Sequence, residues 1–162
     1  MTLTDIQDEH DALPIYGGTI ELPAEHIEGS TGVVITKSNV RIVGKGMNMS
    51  DASEANTAAP YRAPTQIKYT GSGVAIQIGT STQTATTLGT ELKNFSLRGT
   101  NSAISGVRVE CGAGGVVSGR ILMEDIDVGD FKNETWGVGI SSFYGISVTL
   151  RRVHVHNNNR GF

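Results

Sequence analysis

Met-Glu-Asp-Ile-Asp-Val-Gly, at residues 123–129, is the stretch that decides the predicted fold, because its alternation of apolar and acidic residues recurs along the chain. In a strand, Ile126 and Val128 point to one face, while Asp125 and Asp127 point to the other. The stretch therefore predicts a strand with one buried face and one solvated face.

The same motif, two apolar residues separated by one polar residue, recurs at intervals of roughly 27 to 31 residues. Its members are Val40 and Ile42, Ile67 and Tyr69, Phe95 and Leu97, Ile126 and Val128, and Val153 and Val155. A second series follows: Ile76 and Ile78, Val107 and Val109, and Val138 and Ile140. The intervening segments are rich in Gly, Ser and Thr and leave no room for crossover helices. The pattern therefore predicts a solenoid of consecutive parallel strands.

The alternative is an antiparallel sandwich, which also has many short alternating strands but seldom keeps a fixed register over several repeats. No linker-like run divides the 162 residues, so we expect a single domain over 1–162. Thr4 and Gln7 have the spacing of a capping box, and Pro14 ends the run. A short helix is therefore predicted within an N-terminal cap at 1–16.

Composition and charge exclude several partners. The chain has 13 Lys and Arg against 16 Asp and Glu, a net charge of -3, and no basic cluster interleaved with aromatic residues, so we expect no nucleic-acid partner. No apolar run has membrane-spanning length and no signal peptide is apparent, so no membrane partner is expected. Cys111 is the single cysteine, which excludes an internal disulfide.

Two further segments carry a resemblance to a known family. Gly-Gly-Thr-Ile-Glu-Leu-Pro-Ala at 17–24 is followed by Lys-Ser-Asn-Val-Arg-Ile-Val-Gly-Lys-Gly at 37–46. Together they resemble the opening of the pectate lyase superfamily of right-handed parallel β-helix proteins, which includes phage tailspikes, and 92–97 and 150–155 resemble its repeated rungs.

The resemblance implies that this all-β chain folds as a right-handed parallel β-helix (single-stranded solenoid). The repeat predicts about five coils, and the N-terminal residues predict a short capping helix. The coils would occupy 17–162, with a loop at 44–64 thrown out, and the chain would correspond to an N-terminal portion with few coils. It also implies a polysaccharide partner and an extracellular or virion role. The residue clusters of polygalacturonases and alginate epimerases are absent from the sequence, so whether the chain is an enzyme stays open.

Aligning the predicted strands indicates which outward residues stack. The central row is Arg41, Lys68, Ser96, Asp127 and His154, and the flanking rows are Asn39, Gln66, Asn94, Asp125 and Arg152, and Val43, Thr70, Arg98, Gly129 and His156. Regularly spaced donors suit a sugar chain, and cations suit an acidic one. The predicted substrate-binding residues are Lys68, Arg98, Arg152, His156 and Arg41. The alternative is an ordinary solvated outer face.

If this face is catalytic, Asp127 and His154 are the best pair, with Asp125 as a second carboxylate. Side chains at alternate strand positions lie about 6 to 7 Å apart, which is compatible with an inverting hydrolase. A lyase would use His154, Lys68 or an Arg as base, and Ca²⁺ on Asp125, Asp127 and Asp130 would neutralise the uronate carboxylate. His154 and His156 with Asp127 also match a transition-metal set, but the basic neighbours favour no metal.

The predicted function is therefore a carbohydrate-related module that binds or cleaves a polysaccharide along its outer strand face. If it is an enzyme, it is a polysaccharide lyase or a glycoside hydrolase. The alternative is a non-catalytic structural module that assembles through its C-terminal end, because no capping segment follows Val155. A strand edge left open there would pair with another subunit, so we expect a homo-oligomer.

Overall fold

A computed structural model of the chain describes residues 1–47, 64–112, 116–143 and 145–160. These ranges contain one helix, α1 (Leu3–Ala12), and twelve strands: β1 (Gly18–Glu21), β2 (His26–Gly29), β3 (Val33–Ile35), β4 (Val40–Val43), β5 (Gln66–Tyr69), β6 (Val74–Ile78), β7 (Thr87–Leu88), β8 (Glu91–Arg98), β9 (Ser105–Glu110), β10 (Ser118–Gly129), β11 (Val138–Phe143) and β12 (Ile146–His156). Most of the loop predicted at 44–64 lies outside the described residues.

The strands form two parallel sheets. The larger has eight strands in the order β1-β4-β8-β10-β12, with β5 pairing with β2 and β8, and β7 pairing with β10. The smaller has four strands in the order β3-β6-β9-β11. Every strand pairing in the described ranges is parallel.

The predicted right-handed β-helix of about five coils is wrong, because the larger sheet is not a single file of equivalent strands. In β8, the first half pairs with β4, where Leu92 lies opposite Ile42. The second half pairs with β5, where Leu97 lies opposite Ile67. The neighbours predicted from the repeat, β4 and β5, are therefore joined through β8 and lie beside different parts of it.

Left-handed residues explain why one strand has two partners. Asn94, Asp125 and Arg152 have φ values of 59°, 52° and 48° within β8, β10 and β12. An isolated left-handed residue redirects a strand, and Asn and Asp adopt this conformation more readily than most residues. The pairing of β10 with β12 accordingly passes from Glu124 to Ile126 without including Asp125. Each long strand therefore has two segments. Those of β8 pair with β4 and β5 respectively, whereas both segments of β10 pair with β8 and with β12.

The register of some strand pairs also differs from the predicted alignment, although the apolar pairs still face the core as predicted. Ile126 lies opposite Phe95 and Val153, as the spacing predicts. In contrast, Ile67 lies opposite Leu97 instead of Phe95, and Ile140 lies opposite Val107 instead of Val109. These are shifts of two residues, which preserve the side of the sheet to which each side chain points.

The core lies between the sheets and contains the apolar pairs of the repeat. Ile126, Val128 and Phe95 are fully buried, as is Phe131 just after β10. Burying an aliphatic or aromatic side chain of this size contributes about 1.5 to 3 kcal/mol, so these strands are held mainly by their inward residues.

Helix α1 packs against β1, β2 and β3. Its capping box joins Thr2 and Asp5, instead of the predicted Thr4 and Gln7: the Asp5 N–H donates to Thr2 Oγ1 at 3.2 Å, and the Thr2 N–H donates to Asp5 Oδ2 at 2.6 Å. Gln7 instead accepts from the Val34 N–H at 2.7 Å, which satisfies a backbone group of β3. Among the described residues, no helix is both long and apolar enough to cross a bilayer.

Candidate functional site

Asp127 occupies the centre of the candidate site. The alternation of β10 predicts that its side chain faces solvent, but the structure buries it completely. Its Oδ2 accepts a short hydrogen bond from Nη2 of Arg98, which is itself only 7% exposed. Nη1 of Arg98 also donates to the Leu97 and Asp127 carbonyl oxygens, at 3.4 Å each. Arg98, predicted to bind substrate, therefore anchors Asp127.

Two histidines of β12 approach the other oxygen of the same carboxylate. Nδ1 of His154 lies 3.0 Å from Asp127 Oδ1, and Nε2 of His156 lies 3.2 Å from it. The two rings stack, with centroids 4.8 Å apart and planes 15° apart. The side chain of His154 is 32% exposed, whereas that of His156 is 14% exposed. His154 is therefore the site member that reaches solvent.

Strand pairing explains this convergence. Asp127 lies directly opposite His154, and Gly129 lies opposite His156. A Cβ on Gly129 would come within 2.6 Å of His156 Nε2, so the ring of His156 occupies space that any other residue at 129 would fill. The alternation of His154 and His156 places both rings on one side of β12.

The electrostatics favour a charged Asp127. Burial raises the pKa of this carboxyl, but contact with His156 and the positive charge of Arg98 outweigh burial and hold the pKa below its ordinary value. Asp127 is therefore a buried carboxylate. Because it does not reach solvent, it can orient an imidazole but cannot attack a substrate itself.

Asp130 extends the site on the side of Arg98. It is 1% exposed, and its Oδ1 accepts a short hydrogen bond from Asn157. Its Oδ2 lies 3.8 Å from Arg98 Nε without forming a hydrogen bond. His156 Nε2 likewise is buried without a well-aligned hydrogen bond. Two buried polar atoms with unsatisfied hydrogen-bonding capacity therefore lie in this one cluster, both linked to Arg98 or to its partner Asp127.

Asp125, predicted as the second catalytic carboxylate, belongs to a different group. Arg152 Nη2 donates to Asp125 Oδ2 at 2.7 Å and to Glu124 Oε1 at 2.9 Å. The hydrogen bond from Arg152 lowers the pKa of Asp125, and the same contact raises the pKa of Arg152. The left-handed turn at Asp125 separates this exposed ion pair from the buried Asp127.

Further ion pairs continue this group across the outer face of the larger sheet. Glu124 Oε1 accepts from Arg151 at 3.0 Å, Lys93 Nζ lies 2.9 Å from Glu91 Oε2, and Arg41 Nε donates to the same Glu91 oxygen at 3.0 Å. We call this set the outer charge network; its members are Arg41, Glu91, Lys93, Glu124, Asp125, Arg151 and Arg152. Lys68 lies apart from it in β5, half-buried, opposite Glu28 and Arg98.

The structure thus brings together Asp127, His154, His156 and Arg98, and separately joins Asp125 to Arg152. The sequence predicted Arg41, Asp125 and Arg152 of the outer charge network but not Glu91, Lys93, Glu124 and Arg151. Lys93, Glu124 and Arg151 recur with the same spacing as Phe95, Ile126 and Val153. Strict alternation places them on the same side as those core residues, and only the left-handed Asn94, Asp125 and Arg152 reverse it.

A separate groove lies at the last strand of each sheet. It has a volume of about 450 Å³ and is lined by Trp136, Val138, Ile140, Ser141, Ser142, Phe143, Val148, Leu150 and Arg160. Trp136, Phe143 and Leu150 are 50%, 44% and 39% exposed. The Arg160 guanidinium lies 5.2 Å from the centre of the Trp136 ring. We call this surface the terminal groove.

No protein-family model, no curated protein and no solved structure matches the chain. The resemblance to the pectate lyase superfamily therefore stays a prediction from short motifs.

Proposed function

We propose that the chain binds an acidic polysaccharide along the outer face of the larger sheet and cleaves it by β-elimination, with His154 as the base. The observation that carries the proposal is the contact between His154 Nδ1 and the buried Asp127 carboxylate at 3.0 Å. A proton on Nδ1 donates to this carboxylate and leaves the lone pair on Nε2. An imidazole oriented in this way is a suitable general base.

Elimination fits the carboxylates better than hydrolysis does. An inverting or retaining hydrolase needs two carboxyl groups that flank the scissile bond. Asp127 is fully buried against Arg98, and Asp125 is held by two hydrogen bonds from Arg152. Elimination from a uronate needs one base, which removes the proton from the carbon next to the sugar carboxylate. The electron pair forms a carbon–carbon double bond, the glycosidic C–O bond breaks, and the leaving oxygen takes up a proton.

The outer charge network supplies cations for the sugar carboxylates. Its four cations exceed its three anions by one charge, and the side chains of Arg151 and Arg152 are 61% and 59% exposed. Guanidinium groups bind carboxylates through paired hydrogen bonds. When a uronate chain binds, Arg151 and Arg152 would exchange part of their contacts with Glu124 and Asp125 for contacts with the sugar carboxylates.

The test is mass spectrometry of products after incubation with a panel of acidic and neutral polysaccharides. Shortened chains with unsaturated ends are expected from acidic polymers. Shortened chains with hydrated ends would show that the reaction is hydrolysis and not elimination. His154→Ala should lower turnover at least about 100-fold, the size of a general-base contribution. His26→Ala is the matched control, because His26 is a partly exposed histidine near Glu28, outside the site. Full turnover in His154→Ala would exclude the proposed base.

A second candidate function, non-catalytic assembly into a homo-oligomer, is favoured by the terminal groove. Exposed Trp136, Phe143 and Leu150 lie beside β11 and β12, each the last strand of its sheet. Burying such apolar side chains and pairing such strand edges favours association. Sedimentation should then show an oligomer that Leu150→Glu dissociates. A monomeric chain at high concentration would refute assembly.

A further inference from the structure

We propose that Asp127, His154 and His156 form a binding site for a divalent transition metal of the Zn²⁺ class. The three side chains offer one carboxylate oxygen and two imidazole nitrogens, and these ligand atoms all lie within 4.8 Å of one another. Imidazole and carboxylate are ordinary Zn²⁺ ligands, and three protein ligands leave a position open for water or substrate.

Two of the three distances between ligand atoms already suit an ion. A tetrahedral Zn²⁺ with bonds of about 2.0 to 2.1 Å has ligand atoms roughly 3.3 to 3.4 Å apart. Asp127 Oδ1 lies 3.0 Å from His154 Nδ1 and 3.2 Å from His156 Nε2. Small outward shifts of the two nitrogens would bring both oxygen–nitrogen distances to the required length.

The third distance, between His154 Nδ1 and His156 Nε2, reaches a suitable length only if the rings turn. An imidazole binds a metal in the plane of its ring, and the two rings now stack with planes only 15° apart. Rotation of both side chains about their own bonds, with His154 the more exposed of the two, would direct His154 Nδ1 and His156 Nε2 towards a common point. His156 Nε2 is buried without a well-aligned hydrogen bond, so binding a metal would satisfy it.

Arg98 does not block the site, although the sequence alone suggested that basic neighbours would. Its guanidinium bonds to Oδ2 of Asp127, which leaves Oδ1 towards the histidines. Metal-binding carboxylates are commonly held by such hydrogen bonds from outside the ligand set. Asp130, 3.8 Å from Arg98 and 3.5 Å from Lys132, is a second buried acidic residue beside this guanidinium.

The inference goes beyond the proposed function and does not rest on it. An ion at this position would take His154 Nδ1 and Asp127 Oδ1, the two atoms of the hydrogen bond that orients the base. Ion binding and base catalysis would therefore exclude one another, and Zn²⁺ would inhibit cleavage. Binding itself is measured without polysaccharide, so the two proposals can fail separately.

The experiment is titration of the untagged chain with Co²⁺, followed by visible absorption, and then displacement by Zn²⁺. We expect one Co²⁺ per chain with the absorption of a four- or five-coordinate ion, abolished by Zn²⁺. His154→Ala and His156→Ala should each weaken binding more than tenfold. His26→Ala, which removes a histidine near Glu28 outside the cluster, should bind as the parent chain does.

The absence of a saturable absorption band would overturn the site, as would unchanged binding in both cluster variants or loss of binding in His26→Ala. Should a cluster variant fail to fold, nuclear magnetic resonance of the parent chain decides. On addition of Zn²⁺, the ring signals of His154 and His156 should shift while those of His10 and His26 stay in place. Shifts confined to His10 or His26 would refute the site.

Discussion

Replacing Asp127 by asparagine should destabilise the fold strongly while keeping the shape of the side chain. The carboxylate is fully buried and pairs with Arg98, which is 7% exposed. Removing one partner of a buried ion pair costs about 3 to 5 kcal/mol, because the other charge stays buried without compensation. Asp130 lies 3.8 Å from Arg98 Nε and would retain part of the compensation, so we expect about 3 kcal/mol.

Urea unfolding followed by circular dichroism measures this loss. With a slope of about 2 kcal/mol per molar urea, 3 kcal/mol lowers the midpoint by about 1.5 M. Asp125→Asn is the matched control: the same change two residues away, at a left-handed position that Asn tolerates, in an exposed ion pair with Arg152. Its effect should be much smaller because both partners stay solvated. Equal midpoint shifts in the two variants would refute the reasoning.

A double-mutant cycle isolates the pair. Arg98→Met alone should also destabilise the chain, because it leaves the Asp127 carboxylate buried beside His154 and His156. The double variant, Arg98→Met with Asp127→Asn, should lose less than the sum of the single variants, since neither buried charge remains. If the two single losses of unfolding free energy simply add in the double variant, Arg98 and Asp127 do not stabilise each other and the reasoning is refuted.

Three more outcomes follow from the structure. Phe95→Ala should cost about 3 to 5 kcal/mol in urea unfolding, because the ring is fully buried between the sheets. Thr2→Ala should cost about 1 kcal/mol by removing the helix cap, while Thr4→Ala should leave the midpoint almost unchanged; the reverse order would place the cap at Thr4. Hydrogen bonding from Arg152 lowers the pKa of Asp125 in the folded chain. The carboxylate therefore contributes its full stabilisation above the pKa of about 4 that it has in the unfolded chain, and loses this contribution as pH falls through the lower pKa of the folded chain. The urea midpoint should therefore decrease below about pH 4, and Asp125→Asn should reduce that decrease.

Much of the local structure could be predicted, because strand alternation is a property of neighbouring residues. Phe95 and Ile126 are buried in the core, Val153 is partly buried against it, and the three lie in register opposite one another. The existence of a helix near the N-terminus was also predictable. Its cap was misplaced by two residues, because Thr2 and Thr4 each precede a residue able to complete a capping box.

The site was predicted in part. Asp127 and His154 were paired from spacing, and they are in contact. Burial was not predictable, because an Asp on the polar side of a strand is normally solvated, and only Arg98 and the two stacked histidines make this one stable inside. The association of Asp125 with Arg152 followed from the same alignment, but its separation from Asp127 depends on the left-handed turn between them.

The sequence by itself determined that apolar pairs such as Phe95 and Leu97, or Ile126 and Val128, lie in strands and face inward, since this depends on an alternation of two residues that holds locally. Only the tertiary structure decided which strands pair. Against β5, a shift of two residues leaves every inward side chain inward. Against β4, the shift from the predicted alignment is five residues, and the left-handed Asn94 between the two segments of β8 lets Leu92 and Phe95 both face inward. The same non-local packing brought Arg98, His154 and His156 onto one buried carboxylate.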